Sequence, residues 1–290
     1  MRHRRDHRRA LVASWAVATL FAGAAAGAEL SVPTAPAEAK RRTLHLAEST
    51  FQVLRVVEDE RRGERLLCNR ECDFVQGAMS LADPDTLVLE YTRSALVALA
   101  FLPRAPRSIL CLGLGTGSLP RFLASRYPEA QVDVVEIDPA VPPVAERFFR
   151  FRAGLRLRVH VADAADFVKN RRDRYDLVVL DAAFGPDPPR QLATKAFFED
   201  LRARTAPGGV VVANFASAVL CPRAAVLPFR MKEALSPVTT FQTASPANLV
   251  AVGGAPLPEA RVLAERLEAI MAERRPGFDL ARLVHDMPRW

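Results

Sequence analysis

Cysteine is scarce in this chain, four in 290 residues, and histidine nearly as scarce, at five. Cys68 and Cys72 have no histidine nearby and no second cysteine pair to join them, which argues against a zinc site. They can pair across a tight turn where the compartment is oxidising. Cys111 falls inside an apolar run and reads as a core residue, while Cys221 stands alone. Also missing is any basic tract interleaved with aromatics. The formal charge is +7, but the first 28 residues hold five Arg against one Asp, and the remaining +3 is spread along the chain. Nucleic acid is therefore not an expected partner. Nothing in the composition, 50% hydrophobic and 25% charged, signals disorder, and the length fits one main domain with a small accessory unit.

The N-terminus has the three parts of a secretory signal: a basic Met1 to Arg9, an apolar Ala10 to Ala28, and a small-x-small ending at Ala26-Gly-Ala28. Arg8-Arg9 before Leu11-Val12 also loosely matches a twin-arginine signal. Residues 1–28 thus predict export or anchoring. Against this stand a cytosolic nucleoside chemistry, argued below, and a start codon placed too far upstream. Residues 29–42, rich in Pro and Ala, read as a linker.

What is present is organised around Ser108-Ile-Leu-Cys-Leu-Gly-Leu-Gly-Thr-Gly-Ser118. The continuous apolar run from Ile109 is that of a buried parallel strand covered on both faces. It ends in glycines at 113, 115 and 117, and Leu119 to Tyr127 supplies the next helix. A strand, a glycine turn and a helix N-terminus make a docking place for a nucleoside. Nineteen residues past Gly117, the apolar strand Gln131 to Asp138 carries Glu136 near its carboxyl end, placed to accept hydrogen bonds from ribose hydroxyls. Two further strands, Leu157 to Val161 and Tyr175 to Leu180, are followed by Asp163 and Asp181. In an open α/β sheet such ends share one crevice. Taken singly, Asp163 and Asp181 each have a plainer reading as a helix cap.

Around this centre, Thr50 to Val57, Glu64 to Cys68 and Asp73 to Gln76 predict a small β-meander, and Thr86 to Leu102 predicts a helix. Pro142 to Phe149 and Thr194 to Thr205 read as helices. Pro207-Gly-Gly209 reads as a turn into the strand Val210 to Asn214, and 238–242 with 249–252 as a closing hairpin. Leu263, Leu267, Ile270 and Met271 mark the packing face of a last helix. Strands alternating with helices mean a doubly wound, mostly parallel sheet.

Phe74-Val-Gln-Gly-Ala-Met79, Leu89-Glu-Tyr91, Ile109 to Ser118, Val134-Val-Glu-Ile-Asp138, Ala162-Asp163, Tyr175 to Asp181 and Pro207-Gly-Gly209 together resemble, in that order, the spermidine synthase family of polyamine aminopropyltransferases. The resemblance spans roughly residues 49 to 255. It implies a class I methyltransferase-like Rossmann fold at 81–255, preceded by a small N-terminal β-domain at 43–80; the last helix and tail, 256–290, lie beyond it. It implies that Gly113, Gly115, Thr116 and Gly117 hold the sulfonium side of decarboxylated S-adenosylmethionine, Glu136 the ribose and Asp163 the adenine amino group. Asp181 matches the catalytic acid, with Tyr91 beside it, and Gln76 and Tyr91 line the amine or aminopropyl side. The acceptor is a small-molecule amine, no metal is expected, and a homodimer is admitted.

Three departures from the pattern bear on the substrate. Thr116 stands where the family carries an acid that meets the aminopropyl amine and would repel the carboxylate of ordinary S-adenosylmethionine. Phe184 replaces a second acid three residues past Asp181, and Asp187 lies too far along to be equated with it. Thr92 and Arg93 follow Tyr91 in place of Gln or His and Glu. A methyltransferase using S-adenosylmethionine is thus the alternative on the same fold, with a non-catalytic nucleoside-binding relative after it. An NAD-dependent oxidoreductase, with Ser118 as the third fingerprint position, leaves the β-unit unexplained.

Overall fold

A computed structural model describes residues 41–182, 189–216, 221–243 and 247–281. The leader, the linker up to residue 40, Phe184 and Asp187 lie outside the described residues. Four strands, β1 (Arg41–Glu48), β2 (Val53–Asp59), β3 (Glu64–Cys68) and β4 (Val75–Ser80), form an antiparallel meander in that order. Alternation in β2 sends Leu54 and Val56 inward to complete burial. β1 begins within the expected linker. Its pattern is weakly apolar because it pairs through its backbone on one side only, with Arg41 on Asp59 at 3.2 Å and Arg42 on Glu58 at 3.1 Å adding ion pairs. A Cys68–Cys72 disulfide closes the turn between β3 and β4.

The segment expected as one helix from Thr86 is more varied. Leu87 bridges to Met79 and keeps the chain extended there. Helix α1 then spans only Glu90–Ala95 and tightens into a 3-10 turn at Leu96–Phe101. Every residue of that turn is buried, so helical spacing in the sequence marked a fully enclosed connector rather than an amphipathic helix.

The second sheet has seven strands: β5 (Ser108–Leu112), β6 (Gln131–Glu136), β7 (Leu157–Val161), β8 (Tyr175–Leu180), β9 (Thr205–Ala216), β10 (Val238–Gln242) and β11 (Asn248–Gly253). Their order is β10-β11-β9-β8-β5-β6-β7, parallel from β9 to β7 and antiparallel at β10 and β11. Pro207-Gly-Gly209 is an outward bulge within β9: Thr205 pairs with Tyr175, and the next pairing is Val210 with Leu177. Ile109 and Cys111 face a layer that includes α2 (Ser118–Arg126) and α3 (Val141–Phe148), together with α7 (Ala260–Arg274). Leu110 and Leu112 face α4 (Ala164–Asn170), α5 (Lys195–Arg204) and α6 (Leu227–Leu235). The sheet is thus wound on both faces, and each buried Leu or Ile contributes about 1.5–3 kcal/mol of transfer free energy. Leu263 and Leu267 of α7 are buried as expected.

One polar cluster crosses the sheet away from its carboxyl end. Asp133 of β6 is 3% exposed and accepts from Arg158 Nε at 2.9 Å and Nη2 at 3.1 Å; His160 Nε2 lies 2.8 Å from it and Tyr175 Oη donates at 3.1 Å. Because β5 lies between β6 and β8, the tyrosine reaches over Leu110 to join strands that do not pair. Burial would raise the Asp133 carboxyl, but the His160 and Arg158 hydrogen bonds and the Arg158 charge prevail and hold it below its ordinary value of 3.8. Replacing Asp133 by Ala leaves the buried phenol and the Arg158 fork without an acceptor, and should cost about 3 kcal/mol in urea unfolding at pH 7. Since the folded value is depressed, this contribution is full above pH ~4 and fades as pH falls through the folded value. The gap between parent and Asp133→Asn should therefore narrow in acid; a gap that widens there contradicts this account.

Candidate active site

The order of the large sheet reverses at β5. β6 and β7 extend to one side, β8 and β9 to the other, so the carboxyl ends of β5 and β8 flank a switch point. Asp181 N donates to Leu112 O at 2.9 Å there, and the chain leaving β5 presses on the chain leaving β8. At Gly113, with φ +102°, a Cβ would lie 2.1 Å from Asp181 O. Glycine is required at that point both for conformation and for space. At Gly117, the N-cap of α2, a Cβ would meet the Phe151 ring at 2.3 Å. Gly117 thus seats the helix on the core, while Gly113, Gly115 and Thr116 border the cavity.

That cavity encloses about 770 Å³, within the range of nucleoside and cofactor pockets. Glu136 is 6% exposed at its wall. Leu114 N donates to its Oε2 and Asp138 N to its Oε1, each at 3.0 Å, so the carboxylate is clamped between the glycine turn and its own strand end. Each oxygen keeps lone-pair capacity for a ribose hydroxyl. Burial raises the Glu136 carboxyl above its ordinary value, and the Asp138 and Leu114 backbone donors oppose this.

Asp138 starts a relay toward the small sheet. It is fully buried and its Oδ2 accepts from Ser49 Oγ at 2.6 Å and Gln52 Nε2 at 3.2 Å. A carboxylate only accepts, so Gln52 must turn its NH₂ to Asp138 and its oxygen to Gln76, whose Nε2 donates at 2.7 Å. The Gln76 oxygen is left to accept from whatever enters the cavity.

Opposite lies Asp181, partly buried just past the end of β8. Burial pushes its carboxyl above the usual aspartate value, partly offset by hydrogen bonds from Asn214 and Tyr91. Asn214 Nδ2 donates to Asp181 Oδ1 at 2.9 Å. The Tyr91 phenol is raised well above 10 by burial and by the Asp181 charge, and is neutral. Its hydroxyl also reaches Gln76 O at 3.2 Å, so one phenolic proton has two acceptors, the carboxylate and a peptide carbonyl.

Of the residues expected from sequence, Gln76, Tyr91, Gly113, Gly115, Thr116, Glu136, Asp163 and Asp181 border this one cavity, whereas Gly117 packs on Phe151 outside its lining; two of the others need qualification. Asp163 caps α4, its Oδ1 accepting from Ala165 N at 2.7 Å and Asp166 N at 3.4 Å, and its Oδ2 accepts from Gln191 Nε2 at 3.0 Å. The plain capping role is therefore real, although the side chain still borders the cavity. Thr116 is buried, its Oγ1 pairs with Ser118 Oγ at 2.9 Å, and its methyl fills the space over Gly77. Sequence reading missed Gln52 and Asn214. Asn214 was signalled as an amide interrupting the apolar β9, and Gln52 as one in the run leading into β2. Among the described residues no group of three His, Cys, Asp or Glu is placed to hold a metal ion.

Comparison with known proteins agrees with this geometry. Residues 88–226 match the spermine/spermidine synthase domain. A polyamine aminopropyltransferase of Vibrio vulnificus is 35% identical over 185 residues, covering 59% of this chain and 58% of that protein. An eEF1A lysine and N-terminal methyltransferase of Bos taurus is 27% identical over 233 residues, 71% of this chain and 32% of that protein. The crystal structure of a probable spermidine synthase from Corynebacterium glutamicum ATCC 13032 superposes with a TM-score of 0.65 at 22% identity, covering 79% of this chain and 86% of that one. The chain spans less than two thirds of the length of the Vibrio relative.

The contact at the switch point yields a direct test. Gly113→Ala forces a Cβ into a peptide oxygen and should lower stability by more than about 3 kcal/mol, as overpacking against backbone does. Gly63→Ala, at φ +63° with nothing within 4 Å, carries only the left-handed strain of about 1 kcal/mol. Equal losses in thermal unfolding would mean that the two strand ends are not in contact.

Proposed function

We propose that this chain, which carries a spermine/spermidine synthase domain over residues 88–226, transfers an aminopropyl group from decarboxylated S-adenosylmethionine to a small-molecule amine. The observation that carries the proposal is Asp181: a partly buried carboxyl with a raised proton affinity, in the same cavity as the Glu136 ribose acceptor and in contact with Tyr91. In the reaction the acceptor nitrogen attacks the aminopropyl carbon bonded to sulfur. The C–N bond forms, the C–S bond breaks, and its electron pair goes to sulfur, which leaves in neutral methylthioadenosine. No acid is needed for that departure. The acceptor does need to shed a proton before its lone pair is available, and Asp181 is placed to take it. As Asp181 becomes protonated it can itself donate to the phenol oxygen, and the Tyr91 hydroxyl can turn to Gln76 O, so the hydrogen bonding survives the change of charge. Gln76, with its oxygen presented by the Gln52 relay, suits the ammonium end of the donor.

One observation favours a second reading, methyl transfer from ordinary S-adenosylmethionine. Thr116 places an uncharged, hydrogen-bonded hydroxyl in the glycine turn, so nothing there repels a donor carboxylate. Product analysis with each donor separates the readings: aminopropyl transfer requires the decarboxylated form to be turned over and methyl transfer the ordinary one, whichever binds more tightly.

Asp181→Asn keeps the shape of the site and removes the base. With decarboxylated S-adenosylmethionine and a panel of di- and polyamines, its kcat should fall by about 10²–10⁴, the usual worth of a positioned base, while the Kd for methylthioadenosine stays within about twofold. The acid limb of the parent profile should lie above the ordinary aspartate value of 3.8, because burial raises this carboxyl and only its ionised form accepts the proton. Undiminished turnover by the variant would reduce Asp181 to a strand-end residue.

A further inference from the structure

The antiparallel edge of the sheet delivers a side chain, Asn248 of β11, to the cavity at the carboxyl end of the parallel strands. β9 runs parallel to β8, with Ala213 beside Leu180, so Asn214 stands next to Asp181. β11 runs the opposite way, and its first residue, Asn248, meets the last part of β9: Val250 is opposite Asn214 and Asn248 opposite Ala216. Asn248 and Asn214 are therefore diagonal neighbours on one face. Asn248 Nδ2 donates to Asn214 Oδ1 at 3.0 Å, and Asn214 Nδ2 donates to Asp181 Oδ1 at 2.9 Å.

The direction of this chain follows from its last member. An ionised carboxylate only accepts, so Asn214 must present its NH₂ to Asp181; its oxygen then faces away and needs a donor. Asn248 supplies that donor. Asn248 is itself pinned through its carbonyl, which accepts from Gln242 Nε2 at 2.6 Å and Thr243 Oγ1 at 3.0 Å across the β10–β11 connection. Without Asn248, the Asn214 amide would lose no bond on its far side by flipping, and only the repulsion between its oxygen and an ionised Asp181 would oppose the flip, a repulsion that vanishes once Asp181 holds a proton.

We infer that Asn214 and Asn248 are positioning residues for Asp181: Asn248 fixes the amide of Asn214, and Asn214 fixes one carboxylate oxygen and favours the ionised form, leaving Oδ2 to take up the acceptor's proton. This rests on the reading of Asp181 as the base. The titratable groups facing Asp181 are Tyr91 from α1, partly buried, and Cys111 from β5, buried; both are neutral, their proton affinities raised by desolvation and by the Asp181 charge. The amide pair, together with the Tyr91 hydroxyl, thus opposes the effect of burial without introducing a second charge.

The test follows the Asp181 carboxyl itself, by carbon-13 NMR of aspartate-labelled full-length protein saturated with methylthioadenosine, its resonance identified by its loss in Asp181→Asn. Asn214→Leu should raise the Asp181 midpoint by about one pH unit, the loss of one hydrogen bond to the charged form. Asn248→Ala, at a partly exposed position, should raise it in the same direction by a smaller amount, whereas Asn248→Ser retains a donor and should stay near the parent. In kinetics with decarboxylated S-adenosylmethionine and an amine, the acid limb of kcat should move with the NMR midpoint while KM for the donor holds. Coincident Asp181 titrations in the parent and in Asn214→Leu and Asn248→Ala overturn the inference, even if those variants melt earlier. If the titrations shift but the parent turns over no amine, the positioning stands and the aminopropyl reading fails.

Discussion

At Gly113 the missing Cβ lets the turn after β5 lie against the main chain of Asp181, closer than any other residue would allow. The rest of the site depends on that contact. It brings the amides of the glycine turn within reach of Glu136, since Leu114 N follows directly and clamps one carboxylate oxygen. It also draws the end of β8 across the end of β5 and places Asp181 over the switch point rather than in solvent. The burial that results raises the proton affinity of Asp181 and makes a carboxylate a useful base for an ammonium.

Two amide relays complete the cavity, each keyed by a carboxylate that can only accept. From Asp138, Gln52 passes a fixed orientation to Gln76. From Asp181, Asn214 passes one to Asn248. Neither relay carries net charge beyond its acid, so both hold polar groups in place in a poorly solvated region without unpaired ions. The first explains why the small sheet belongs to the site. Gln52 on the approach to β2 and Gln76 on β4 join it to the ribose-side strand, and Tyr91 reaches back to Gln76 O.

Much of this was legible in the sequence because parallel strands advertise themselves. The apolar runs ending at Leu112 and Leu180 are too continuous for one-sided strands, β6 carries only Asp133 as a break, β7 alternates as an edge strand does, and the residues that follow all four fall at one end of the sheet by topology alone. What stayed illegible depended on partners distant in the chain. β1 pairs through its backbone and carries little apolar signal. The stretch 86–101 has helical spacing, but the Met79–Leu87 bridge and full burial divide it. Asn214 and Gln52 look like breaks in a strand until Asp181 and Asp138 are placed beside them. Asp163 carries both readings at once: its cap on α4 is readable locally, and its place at the cavity follows from the strand order.

The central claim is that the ends of β5 and β6 form one nucleoside pocket with Glu136 as the ribose acceptor. Calorimetric titration of methylthioadenosine into Glu136→Ala tests it most directly. Loss of a clamped carboxylate that takes both hydroxyls should weaken binding at least about tenfold, roughly 1.4 kcal/mol, with the fold intact by circular dichroism. An affinity equal to the parent's would contradict the account.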